Sequence, residues 1–189
     1  MSPFRAFDDP AQVLARTKVV ERFLRYVQVD TQSDEEVTDC PTSAGQLELG
    51  RRLVEELRML GLRGVGAPEP SMDDNGYVLA ELPGTAPGRV GLCAHLDTAP
   101  QFTGAGVRPR MVERYDGGVL EVGHGITLDP EEIPELRDCV GDTLITTDGS
   151  TLLGADDKAG IASIMGALEI LVSEPDLTRP TVRFCFNPD

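Results

Sequence analysis

Residues 90–98 read Val90-Gly91-Leu92-Cys93-Ala94-His95-Leu96-Asp97-Thr98, an apolar run that ends in a histidine with an aspartate two positions later. So short and continuous an apolar run predicts a strand covered on both faces, as in an α/β sheet. Residues two apart on extended backbone point the same way, so the His95 imidazole and the Asp97 carboxylate can meet. A carboxylate that accepts one ring N–H fixes the tautomer and frees the other nitrogen for a metal ion. Strand ends are also where open α/β sheets hold their ligands. Taken alone, the pattern is weak and better fits a surface histidine beside a chance acid.

Outward from this run, the periodicity supplies the rest of the layout. Val20, Phe23, Leu24 and Val27 form one apolar stripe and predict a helix over about residues 12–28. Ser43, with Gln46 three positions on, is a capping-box signature for a second helix carrying Leu49, Leu53, Leu57 and Leu60, and Gly61 is its C-cap. Asn75-Gly76 is a turn before a strand at 77–82, which Pro83-Gly84 ends. Two hairpins are expected, one through Asp116-Gly117 joining 111–115 to 119–122, the other through Asp148-Gly149 joining 144–147 to 151–153. A short helix fits residues 130–139. Ile161, Ile164, Met165, Leu168 and Val172 mark a long helix, and residues 180–186 read as another buried strand. The alternation predicts an α/β fold, a three-layer sandwich with a mixed β-sheet.

A second segment with chemical content is Leu152-Leu153-Gly154-Ala155-Asp156-Asp157-Lys158-Ala159-Gly160, two adjacent carboxylates between a turn and a helix start. The plain reading is an N-cap plus a first-turn acid facing the positive end of the helix dipole. The small residues around the pair also suit a backbone pressed against a ligand, and a carboxylate at such a turn can bridge two cations. Lys158 reads as an ordinary partner of its acidic neighbours, and His124, in Gly123-His124-Gly125, as a loop histidine rather than a ligand.

At 189 residues and 40% hydrophobic content, the chain can bury a core as one domain. A net charge of -15, with Lys18 and Lys158 as the only lysines, argues against nucleic-acid binding. Residues 1–10 lack the pattern of an export segment and the apolar runs are too short to cross a bilayer, so a cytoplasmic protein with no membrane partner is expected. Cys40, Cys93, Cys139 and Cys185 form no CxxC pair, and Cys93 and Cys185 read as buried free thiols.

Taken together, these segments resemble the peptidase T (tripeptide aminopeptidase) branch of the dinuclear zinc exopeptidases. The resemblance is carried by Arg22-Phe23-Leu24, Asp30-Thr31-Gln32-Ser33, His95-Leu96-Asp97-Thr98, and the run from Gly141-Asp142-Thr143 through Leu152-Leu153-Gly154-Ala155-Asp156-Asp157-Lys158. It implies His95 as ligand of one Zn2+, Asp97 as the catalytic-site residue that orients the His95 ring, and Asp156 as the bridge between two Zn2+. It also implies a cis peptide after Asp156 and a short peptide as substrate. By this resemblance, residues 1–189 correspond to the N-terminal part of the catalytic domain. The general-base glutamate, the remaining ligands and the lid or dimerisation domain have no counterpart here, and a homodimer is expected only of the full-length protein. The chain alone is therefore expected neither to hold a stable zinc pair nor to cleave peptides. The alternatives are a related metal-dependent amidohydrolase or deacylase of the same fold, and a noncatalytic binding or assembly unit.

Overall fold

The structure, a computed structural model, describes residues 10–189. The reading of the first ten residues as no export segment falls almost wholly outside that range. The main sheet has four strands, β1 (Ser71–Met72), β2 (Val78–Leu82), β3 (Arg89–His95) and β8 (Thr181–Asn187), in the order β1-β2-β8-β3. β8 runs antiparallel to β2 and parallel to β3, so the sheet is mixed as expected.

The predicted first helix is two helices, α1 (Pro10–Arg16) and α2 (Val19–Tyr26). Thr17 breaks it. Its hydroxyl donates to the Val13 carbonyl and accepts from the Val19 N–H, while the Lys18 N–H donates to Glu169 instead of continuing the ladder. α3 (Ala44–Met59) begins after Ser43, whose backbone is extended but whose side chain makes no cap bond; Gln46 Nε2 donates to the Ser43 hydroxyl instead. Its far end is as expected. Gly61 takes φ +76°, and Leu62 N–H and Gly61 N–H donate to the Leu57 and Arg58 carbonyls, the paired bonds of a Schellman motif.

Alternation along the strands sends Val78, Ala80, Leu82, Val182, Phe184 and Phe186 to one face. There they pack against Leu49, Leu53 and Leu57 of α3, Phe23 and Tyr26 of α2, and Ile161, Met165 and Leu168 of α4 (Ala155–Ser173). The opposite face, with Leu79, Cys93 and Arg183, is open to solvent among the described residues. Two of the three expected layers are therefore described. This corrects the reading of β3 as covered on both faces: it is an edge strand, Val90 is 44% exposed and Cys93 is exposed rather than buried. All four cysteines are free thiols, and Cys185, read as buried, is only half-buried.

The excursion between β3 and α4 differs from both predicted hairpins. β4 (Arg110–Val112) pairs with β7 (Leu144–Thr146), and β5 (Leu120–Gly123) with β6 (Ile126–Leu128). The Asp116-Gly117 turn does form, with the Gly118 N–H donating to Asp116. The buried Tyr115 then exchanges backbone bonds with Gly141 and Asp142, and this zips β4 to the segment before β7. After β7 the chain curls instead of forming a strand. The Thr147 hydroxyl donates to the Thr151 carbonyl and accepts the Gly149 N–H, and Asp148 accepts from Ser150. His124 sits in the β5–β6 turn with φ +51° and Gly125 with φ +75°, the left-handed pair that a two-residue hairpin turn requires. The short helix lies at Pro134–Cys139 and is a 3-10 helix. Among the described residues, no helix is long and apolar enough to cross a membrane.

Candidate active site

β3 ends at His95, whose neighbour on β8 is Asn187, and the Leu96 N–H still donates to the Asn187 carbonyl. The strand exit is therefore fixed by the middle of the sheet. Beyond it, the Thr98 N–H donates to the Thr31 carbonyl and the Ser33 N–H to the Thr98 carbonyl, which binds residues 97–98 to the segment after α2.

α4 approaches from the other side. Asp156 and Asp157 have non-helical backbone, and the peptide between them is cis, as the resemblance implied. Gly154 before them has φ +73°, a conformation natural to glycine. The Asp157 carboxylate accepts the Gly160 N–H at 3.1 Å, which makes it the effective N-cap, and its other oxygen lies 3.4 Å from the His95 N–H. Asp157 thus ties helix to strand and leaves Asp156 projecting.

The result brings together the three side chains singled out in the sequence. His95 Nδ1 lies 3.0 Å from Asp97 Oδ1, and His95 Nε2 lies 2.9 Å from Asp156 Oδ1. The Asp156 side chain is 95% exposed and the His95 ring 36%. They line a cleft of about 320 Å³ with Thr98, Leu152 and Gly154. Burial lowers the His95 pKa, but the Asp156 hydrogen bond and the charges of Asp97, Asp156 and Asp157 outweigh it, so the net shift is upward.

The donor types fit a zinc ion. A neutral imidazole with its second nitrogen tied to a carboxylate is the usual form of a zinc-bound histidine, and carboxylate oxygen is a usual co-ligand. Two donors on one tetrahedral zinc stand roughly 3.3 Å apart at ordinary bond lengths, so the His95–Asp156 pair already has nearly the spacing of neighbouring ligands. The number of donors is short. Among the described residues no group of three or more His, Cys, Asp or Glu side chains converges to hold a metal.

Lys158 does not pair with its acidic neighbours. It is 1% exposed, and its ammonium donates to the Val29 carbonyl at 2.8 Å. Burial drives its pKa down to about 8, against the opposing charge of Asp30. The reading from sequence missed it because a lysine between acids carries no mark of burial; its helical register with Ile161, Ala162 and Met165, all inward, was the available signal. His124 lines no part of the cleft, in keeping with its reading as a loop residue.

No family model matches the chain. Over 179 residues it is 51% identical to a peptidase T of Geobacillus thermodenitrificans, a match covering 92% of this chain and 42% of the relative. It is 52% identical over 177 residues to a peptidase T of Shouchella clausii, with the same shares covered. Among solved structures, it superposes on the aminopeptidase PepT from Bacillus cereus with a TM-score of 0.57 and 25% identity, covering 89% of this chain and 35% of that one. A tripeptidase from Staphylococcus aureus, 22% identical with a TM-score of 0.55 over 89% of this chain and 35% of that one, shares the fold. The chain spans less than half the length of the curated relatives it matches.

Proposed function

Since this chain is a homologue of peptidase T along 92% of its length, we propose that it supplies the His95–Asp97–Asp156 corner of a zinc-dependent aminopeptidase site acting on short peptides. The observation that carries this reading is the approach of His95 Nε2 to Asp156 Oδ1 at 2.9 Å, from elements 61 positions apart. In the proposed site, His95 and Asp156 would hold zinc, with Asp156 common to the two ions, and Asp97 would orient the ring. The bound ions would supply Lewis acidity toward the scissile carbonyl and toward water.

The chain's own residues supply position. Asp97 accepts a hydrogen bond from the His95 Nδ1–H and so presents Nε2 to the cleft, and Asp157 holds the helix start so that Asp156 faces it. A peptide with a free amino terminus is the proposed substrate, and the cytoplasm the proposed compartment. Residues 1–189 are proposed to be the N-terminal part of the catalytic domain, with the other ligands and the general base carried by the further length seen in the relatives.

A chimera tests this. Replacing the corresponding stretch of the Geobacillus thermodenitrificans peptidase T with this chain is expected to give an enzyme that releases the amino-terminal residue of a tripeptide. His95→Ala or Asp156→Ala in the chimera is expected to abolish that release. A folded chimera with undiminished activity in either variant contradicts the assignment.

A further inference from the structure

A buried ammonium is an expensive feature, because its charge loses water and an apolar side chain of similar volume fills the same space at lower cost. What an apolar replacement cannot do at position 158 is reach the Val29 carbonyl, to which Nζ donates at 2.8 Å. The place of Val29 gives that bond its consequence. Residues 29–33 are joined to the exit of β3 by Thr98 N–H to Thr31, by Ser33 N–H to Thr98, and by Gln32 Nε2 to the Pro100 carbonyl at 2.7 Å. One end of this segment is thus fastened to the residues that follow His95, and the other to the residue two beyond Asp156. The amine also lies beneath Gly154, where a Cβ would stand 3.5 Å from Nζ and 3.1 Å from the Thr98 methyl, so helix start, strand exit and amine share one tight junction.

We infer that Lys158 is a positioning residue, which sets the distance between His95 and Asp156 by clamping the first turn of α4 to the segment bound to the β3 exit. The clamp acts on the metal-free chain. Only its consequence for zinc rests on the function proposed above.

The chain has two histidines, and His124 is exposed on a distant turn, so the ring nitrogens of His95 are readily assigned by nitrogen-15 NMR. In wild type at fixed pH, the His95 signals are expected to show hydrogen bonds at both nitrogens. In Lys158→Met the Nε2 signal is expected to move toward that of a freely solvated imidazole, and the Zn2+ concentration needed to perturb it to rise at least tenfold. Leu168→Ala, in the same helix but remote from the site, serves as the control for lost stability and is expected to leave both readouts as in wild type. Where Lys158→Met does not fold, Lys158→Gln, neutral and one atom shorter, is expected to move the signals the same way. Wild-type His95 signals in either folded variant overturn the inference, and so does an equal change in Leu168→Ala. A wild-type chain indifferent to Zn2+ would count against the proposed function, while the metal-free spectra still decide the role of Lys158.

Discussion

His95 Nε2 and Asp156 Oδ1 stand 2.9 Å apart, although one closes a β-strand and the other opens a helix 61 residues later. Neither residue alone distinguishes a ligand from a surface group. Their proximity is what supports the proposed ligand pair, because the imidazole that meets Asp97 at Nδ1 turns its second nitrogen onto another carboxylate.

The orienting role of Asp97 gives a first expectation. Asp97→Asn removes the charged acceptor at Nδ1 and is expected to weaken Zn2+ binding by roughly 10- to 100-fold, with little change in melting temperature. Calorimetric titration of both proteins checks it.

Arg22 is buried between two carboxylates, 2.7 Å from Glu56 and 2.7 Å from Glu169, and Tyr26 donates to the same Glu56 at 3.1 Å. This network joins α2, α3 and α4. Removing one partner leaves a buried charge unpaired, so Arg22→Ala is expected to cost about 3–5 kcal/mol in urea unfolding.

Glu169 gives that network a pH dependence. Burial raises its pKa, but hydrogen bonds from Arg22 and from the Lys18 N–H, with their charges, more than offset this and hold it below the usual carboxylate range. A carboxyl depressed on folding stabilises the protein above its unfolded value of about 4.3 and loses that contribution as pH falls through the folded value. Glu169→Gln is therefore expected to be less stable than wild type at neutral pH, with the gap closing below about pH 4. Unfolding curves at pH 7 and pH 3 check the sign.

Gly45 marks where α3 meets the segment that leads to the site. A Cβ there would lie 1.6 Å from the Asp30 carbonyl oxygen, a backbone atom that cannot turn aside. Gly45→Ala is expected to destabilise the fold by more than about 3 kcal/mol, at or beyond the upper end of ordinary overpacking. Denaturant melts of the two proteins measure it.

How far the sequence reached depended on whether a feature was local. The α3 stripe closed by Gly61, the strands at 78–82 and 181–187, and the His95–Asp97 contact were legible, because each is written in a short period or in a motif of adjacent residues, whereas the meeting of His95 with Asp156, 61 positions on, was implied by the resemblance alone. The hairpins were not. Asp116-Gly117 and Asp148-Gly149 do form turns, but strand partners were chosen by the bonds of Tyr115 to Gly141 and Asp142, some 26 residues away. Burial misled in both directions for the same reason. β3 looks like an inner strand by composition yet lies at the sheet edge, and Lys158 looks like a surface residue yet is enclosed, since both depend on what packs alongside.

The most direct measurement is zinc-edge anomalous diffraction from crystals of the chain soaked in Zn2+. A peak bonded to both His95 Nε2 and Asp156, with Asp97 still on Nδ1, is the expected result. A well-ordered map with the His95–Asp156 hydrogen bond intact and zinc found only elsewhere would contradict the shared cation position on which the proposed function stands.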